Sequence, residues 1–374
     1  MNTDPSERQD ECLQKLKLMQ ACLHETDAAA IRLRGTDWFA WATAGASNSV
    51  LLAAETGVAD VLVTENNAWI LTDEIEAQRL TDEELPGREK QNPYALNVSP
   101  WADSAQRERF VQEVTARGKI LSDRPTSSEF SLPGSLIQYK RKLFPSELDR
   151  YRQVGQLASE AMTEVLTQAQ LTWTEYDLAG AGAEALWKRG LHPALTLAAG
   201  EQRISRYRHP VPSGAKIERV AMLVFCARGF GLYANLTRFV VFGELTAQEH
   251  KLHQQVREIE AFALNQSQLN TPLNQVYQTL HHSYEQQGYP QAIREHHQGG
   301  TTGYLAREIV ANSTTVDRLS ANTAIAWNPS LAGAKIEDTF VLHEDGTLEN
   351  LTFDSNWPSA EVAGRLRPIP LVIQ

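Results

Sequence analysis

From residue 28 to residue 124 short apolar runs alternate with polar, turn-rich stretches. The runs at 28–34, 61–64, 68–72 and 118–124 have the length and composition of strands, whereas 48–57, 75–80 and 107–116 are helix-compatible. This alternation predicts a small α/β domain with a mostly parallel sheet. Turn-rich residues 124–128 and 131–135 close it, so the expected domains are 1–135 and 136–374.

The second part opens with helical spacing. Leu148, Tyr151, Val154, Leu157, Met162 and Val165 predict an amphipathic helix with Ser146 as its N-cap. Thr174 with Asp177, and Thr246 with Glu249, are capping boxes, in which a hydroxyl and a carboxylate satisfy otherwise unpaired backbone donors. Gly190 and Gly288 supply helix stops, and Thr271-Pro272 supplies a further N-cap and first helical residue. Strands are expected at 219–227 and 231–242, then at 304–310, 322–327 and 336–342. Two helices followed by strands, twice over, predict an α+β domain with two related halves.

Composition narrows the classes. A 42% apolar, 22% charged chain of 374 residues can bury a core, which excludes wholesale disorder. Its net charge of -11 repels phosphate backbones, so no nucleic-acid partner is expected. The run 220–227 is far short of the ~20 apolar residues of a membrane helix, and no membrane partner is expected. The polar opening segment 1–10 has no basic-then-apolar pattern, which points to a cytoplasmic protein. Cys12, Cys22 and Cys226 form neither a zinc motif nor a disulfide framework. Gly180-x-Gly182-x-x-Ala185 fits a dinucleotide fingerprint, but it falls inside the helix that Thr174 caps, so close helix packing is the expected role. Trp38, Trp41 and Trp69 are expected in a core or a dimer interface.

Between 197 and 342 the order of motifs carries a resemblance. Arg206-Tyr-Arg-His-Pro-Val-Pro comes first, then Gly231-Leu-Tyr-Ala-Asn-Leu-Thr-Arg. His296-His-Gln-Gly-Gly-Thr-Thr-Gly-Tyr-Leu-Ala-Arg-Glu follows, and Ala326-Trp-Asn-Pro and Lys335-Ile-Glu-Asp-Thr close the series. The chain resembles the creatinase, aminopeptidase P and prolidase family. The resemblance implies a pita-bread C-terminal domain preceded by a smaller creatinase-type α/β domain.

The family's peptidases hold two metal ions with two aspartates, a histidine and two glutamates. At the matching positions this chain has Val224, Asn235, Gly300, Asn328 and Glu337, so four of the five ligands are lost. Two adjacent cations need several anionic ligands, and valine, glycine and neutral amides do not supply them. No metal and no cofactor are therefore expected.

Creatinase works without metal, and the resemblance implies that His209 and Glu337 are catalytic here. His209 would be the general acid/base and Glu337 would orient or charge-stabilise it. Arg307 would clamp a substrate carboxylate, and Tyr304, His296, His297, Asn235, Asn328 and Thr237 would complete a polar pocket. Thr237 falls near the place of the second creatinase carboxylate, which this chain lacks. The glycines at 299–303 read either as a tight turn or as a close approach for a ligand.

The expected function is metal-independent hydrolysis or elimination at a C–N bond of a small, carboxylate-bearing, amino-acid-like substrate. A catalytically silent binding protein and a metal-dependent Xaa-Pro peptidase are the alternatives. The creatinase branch also implies a homodimer. Sedimentation at micromolar concentration is expected to give a dimer, and a monomer would count against that reading.

Overall fold

A computed structural model describes residues 5–85 and 92–374; the first four residues of the polar opening segment lie outside it. The chain forms two compact units, one ending at Arg150 and the other Tyr151–Gln374. The turn-rich boundary read at 135–136 falls inside the first unit.

The first unit runs α1 (Pro5–Thr26), β1 (Ala30–Gly35), α2 (Thr36–Ala42), β2 (Thr56–Val63), β3 (Ala68–Asp73) and α3 (Ala77–Arg79). β4 (Ala95–Ser99), α4 (Ser104–Val114), β5 (Ile120–Ser122), β6 (Phe130–Ser131) and α5 (Gly134–Arg141) follow. The sheet order is β4-β3-β2-β1-β5-β6. β1/β2 and β2/β3 are antiparallel and the other pairs parallel, so the sheet is mixed rather than mostly parallel.

The cause is local. Residues 48–55, read as helical, form turns instead, because Asn48 Nδ2 donates to Ala59 O (2.7 Å) and Ser49 N to Ser47 Oγ (3.2 Å). Such side-chain bonds compete with helix, and without a crossover helix β2 returns antiparallel. The expected helix at 75–80 is reduced to the single turn α3, which passes into a π-type turn at Leu80–Glu84.

Helix α1 has a helical stripe at Cys12, Leu16, Met19 and Leu23, interrupted by the buried charges Glu11 and Lys15. Lys15 Nζ lies 2.6 Å from Glu11 and from Glu147, and Arg150 binds Glu11 at 2.8 Å, which makes those charges tolerable inside. Trp38 and Trp41 are core residues in edge contact, with centroids 5.4 Å apart, and Trp69 packs edge-on against Phe110.

From Pro145 the order is α6 (Pro145–Thr167), α7 (Glu175–Lys188), β7 (His192–Gly200), α8 (Glu201–Ile204), β8 (Val220–Gly229) and β9 (Leu232–Phe242). Then come α9 (Ala247–Gln266), α10 (Leu273–Gln286), β10 (Gly299–Thr302), β11 (Ile309–Val310) and β12 (Thr323–Trp327). β13 (Ser330–Leu331), β14 (Ala334–Lys335), β15 (Phe340–Leu342), β16 (Leu348–Asn350), β17 (Ser359–Val362), β18 (Arg365–Pro368) and β19 (Leu371–Ile373) complete the chain. Both capping boxes form, at Thr174–Asp177 and Thr246–Glu249. Ser146 is not a cap, because its helix already begins at Pro145. Pro272, not Thr271, is the N-cap of α10. Gly182 packs α7 against the Phe225 ring, where a Cβ would sit at 2.8 Å, so this glycine of the motif serves packing, whereas Gly180 has nothing within 4 Å of where its Cβ would be.

Two larger sheets, β7-β8-β9-β19 and β11-β10-β12-β15-β16, build the second unit beside the two-stranded pairs β13-β14 and β17-β18. Helices α9 and α10 cover the second through Val256, Ile259, Leu280, Ile325, Trp327 and Phe340. The expected strand at 304–310 is confined to Ile309–Val310, and the glycine segment before it is the strand β10. The sheets meet where Thr237 N donates to Glu337 O (3.0 Å) and Tyr233 N to Gly303 O (2.8 Å).

A buried ion network lies behind that junction. Asp338 accepts from Arg238 and Arg367, each at 2.7 Å, and Arg367 also grips Glu260 at 2.6 and 2.7 Å. Removing one partner would strand a charge in the core, which costs about 3–5 kcal/mol. Arg367→Ala is expected to lower unfolding stability by that amount in urea titration, and a change below about 1 kcal/mol would show the network is not needed.

Candidate functional site

Antiparallel register puts one row of side chains on a common face of β8 and β9. Val224 is opposite Thr237 and Cys226 opposite Asn235. Val224 joins an apolar cluster with Leu197, Met222, Phe239 and Val241. Asn235 is fully buried and held by both sheets. Its N–H donates to Thr339 Oγ1 (2.8 Å), its O accepts from the same hydroxyl (3.1 Å), and its Nδ2 donates to Thr302 Oγ1 (3.1 Å). Asn328, after β12, donates its backbone N–H to Gln298 O at 3.1 Å. The buried Oδ1 atoms of both asparagines have no hydrogen-bond partner among the described residues. Tyr304 is fully buried just beyond Gly303.

Glu337 is buried, with Arg307 Nη2 bound to its Oε1 and Thr237 Oγ1 donating to its Oε2 at 3.4 Å. It makes no hydrogen bond with His209, its Oε1 being bound by the Arg307 guanidinium, while its negative charge favours the charged form of His209. Arg307 is correspondingly engaged, and its Nη1 donates to Ala306 O (2.6 Å).

His209 instead meets the other two histidines. Its Nε2 lies 2.8 Å from His296 Nε2, with ring centroids 4.4 Å apart, and His297 stacks on His296 at 4.4 Å and 23°. His209 is on the exposed segment after α8, whereas His296 is buried ahead of β10. A 2.8 Å contact between two ring nitrogens needs one N–H donor and one bare acceptor, so the pair holds a single proton between two neutral rings. Burial, reinforced by the charge of Lys335, lowers His209 and brings His296 down to about 2. Burial, then Arg307, brings His297 down to about 4.

Lys335 and Cys226 complete the pocket and were not singled out from the sequence. The Lys335 ammonium is buried and makes no hydrogen bond or ion pair among the described residues; burial lowers its pKa, against the pull of Glu337. Burial, then Glu337, pushes the Cys226 thiol up to about 12, so it is a neutral wall rather than a nucleophile. Strand parity was the available signal: Lys335 is two residues from Glu337, and Cys226 two from Val224.

The chain belongs to metallopeptidase family M24, whose model matches residues 149–344, more than half of its length. The fold is the mixed α/β pita-bread type with an N-terminal domain, as expected. It is similar to an Xaa-Pro dipeptidase from Bacillus anthracis, at 17% identity and TM-score 0.76, covering 97% of this chain and 100% of that one. It is also similar to an X-Pro aminopeptidase from Thermotoga maritima, at 18% identity and TM-score 0.75 over 96% and 99% of the chains. The N-terminal domain of FACT complex subunit SPT16 from Cicer arietinum shares the fold at 11% identity and TM-score 0.70, over 92% and 96%. No curated protein matches in sequence.

The five positions do not fit the paired-ion centre that the family resemblance implies. They offer one carboxylate, already paired with a guanidinium, and two neutral amide oxygens, beside the charges of Lys335 and Arg307. Gly300 shows why the histidine cannot simply be put back. It has φ +152°, and a Cβ there would lie 2.0 Å from Ile309 O. Gly300→His is therefore expected to lose more than ~2 kcal/mol in stability without gaining stoichiometric manganese binding. Thermal melts and isothermal titration check this, and a stable, manganese-binding variant would refute it.

Proposed function

We propose that this M24 chain is a hydrolase or lyase that works without the paired-ion centre. It would act on a C–N bond of a small, amino-acid-like molecule bearing a carboxylate. The observation that carries the reading is the 2.8 Å Nε2–Nε2 hydrogen bond between His209 and His296. It holds a proton donor and a bare acceptor side by side at neutral pH.

When a bound substrate opens this hydrogen bond, the freed bare nitrogen would take a proton from a water as its oxygen adds to the substrate carbon. The imidazolium so formed would give that proton to the departing nitrogen as the C–N bond breaks, which returns the pair to two neutral rings. Lys335 makes no ion pair among the described residues and would receive the substrate carboxylate, with Arg307 alongside it. Glu337 holds Arg307 in place, and the neutral amides of Asn235 and Asn328 offer acceptors for substrate N–H groups. The reading takes the protein as a cytoplasmic homodimer whose main partner is this small molecule, with neither nucleic acid nor membrane involved.

A second reading, a silent binding pocket, draws on the Arg307–Glu337 pair, which engages both groups at once. The pure protein, stripped with chelator, decides between them against a panel of N-acyl and N-amidino amino acids and Xaa-Pro dipeptides. Turnover is expected to survive chelation and to fall at least ~100-fold in His209→Ala and His296→Ala. Lys335→Met is expected to raise KM more than it lowers kcat. Ligand-induced stabilisation without turnover would establish the binding reading, and activity only with added manganese, cobalt or zinc would overturn the proposal.

A further inference from the structure

His209, His296 and His297 each present a ring nitrogen, and the three nitrogens lie within 4.8 Å of one another. None stands at a position where the family resemblance implies a metal ligand. We infer that these three imidazoles form a binding site for a single zinc-class ion, offset from the family's metal position, and that such an ion inhibits the protein rather than activating it. The inhibition rests on the acid/base pair proposed above; the binding does not.

The chemistry favours a borderline ion with a preference for nitrogen. Zinc binds imidazole nitrogen at ~2.0–2.1 Å, so tetrahedral ligands sit ~3.3 Å apart. The His209–His296 pair, at 2.8 Å, needs to open only slightly once the shared proton leaves and a cation takes its place. His209 has the freedom to make that shift, since it is exposed on the segment after α8. The buried Nδ1 atoms of His296 and His297 have no hydrogen-bond partner among the described residues, so reorienting those rings breaks no Nδ1 bond.

The surroundings select among ions. The carboxylate of Glu337 is tied to Arg307, and magnesium, calcium and manganese, which prefer oxygen, lack ligands here. Lys335 and Arg307 oppose a bare dication but favour an anion in its fourth position, so the bound ion would carry hydroxide, chloride or a carboxylate toward them. With its lone pairs on the ion, neither His209 nor His296 could accept a proton from the attacking water.

Titration of the full chain with zinc alone by calorimetry, and with cobalt alone by visible absorption, tests the site. One equivalent is expected, with tetrahedral cobalt bands and no matching uptake of magnesium or manganese. His209→Ala and His297→Gln, checked for folding by circular dichroism, are each expected to weaken zinc by at least ~100-fold, since even loss of an outer-shell partner costs ~10–100-fold. Binding with unchanged affinity in the exposed His209→Ala variant, or no stoichiometric binding at all, would overturn the inference of the site. Zinc that binds at one equivalent and raises turnover would leave the site standing but overturn both its inhibitory role and the metal-free reading.

Discussion

The pocket depends on a chain of buried charges that never enters it. Arg238, Asp338, Arg367 and Glu260 come from β9, the segment before β15, β18 and α9, and all are buried. Four ions taken out of water are tolerable only when each is gripped on several sides, and here each guanidinium reaches a carboxylate while Thr352 Oγ1 donates to Asp338 at 2.6 Å. Arg238 also donates to Thr237 O (2.9 Å) and Glu337 O (3.3 Å), which pins the backbone of both pocket residues. The two sheets are thus locked at their junction from behind. The floor of the pocket keeps its shape through this lock rather than through anything bound in front of it.

In front of that lock lie charges that belong to the protein itself. A paired-ion centre sets cations at the middle and carboxylates around them. Here the fixed positive charge belongs to the protein, in Lys335 and Arg307, and the one remaining carboxylate neutralises part of it. Amides occupy two further positions, and Val224 belongs to the apolar cluster of β7–β9. The fixed charges of Lys335 and Arg307 thus act on three histidines whose charged forms burial already disfavours.

Much of this arrangement could be read in the chain beforehand, and the exceptions have physical causes. The capping boxes at Thr174 and Thr246 were legible because they use adjacent residues, and the order of motifs from Arg206 to Thr339 was legible as a family pattern. The meeting of His209 with His296 was not, since it closes across 87 positions between a loop and a strand end. Glu337 is bound by Arg307 and acts on His209 through its charge alone, a distinction that sequence spacing does not show. Helix α1 escaped notice because Glu11 and Lys15 interrupt its apolar stripe, and partners distant in sequence, Trp41 O, Glu147 and Arg150 among them, make their burial tolerable. Lys335 was passed over because a lysine reads as solvated until its strand is shown to be interior.

The crowding at β10 has a consequence of its own. Gly299 meets Ala326 O as closely as Gly300 meets Ile309 O, so both flanking strands have closed onto a backbone bare of side chains. Neither position can carry a side chain while its neighbours stay where they are, so this stretch of the strand lends the site its backbone and nothing more.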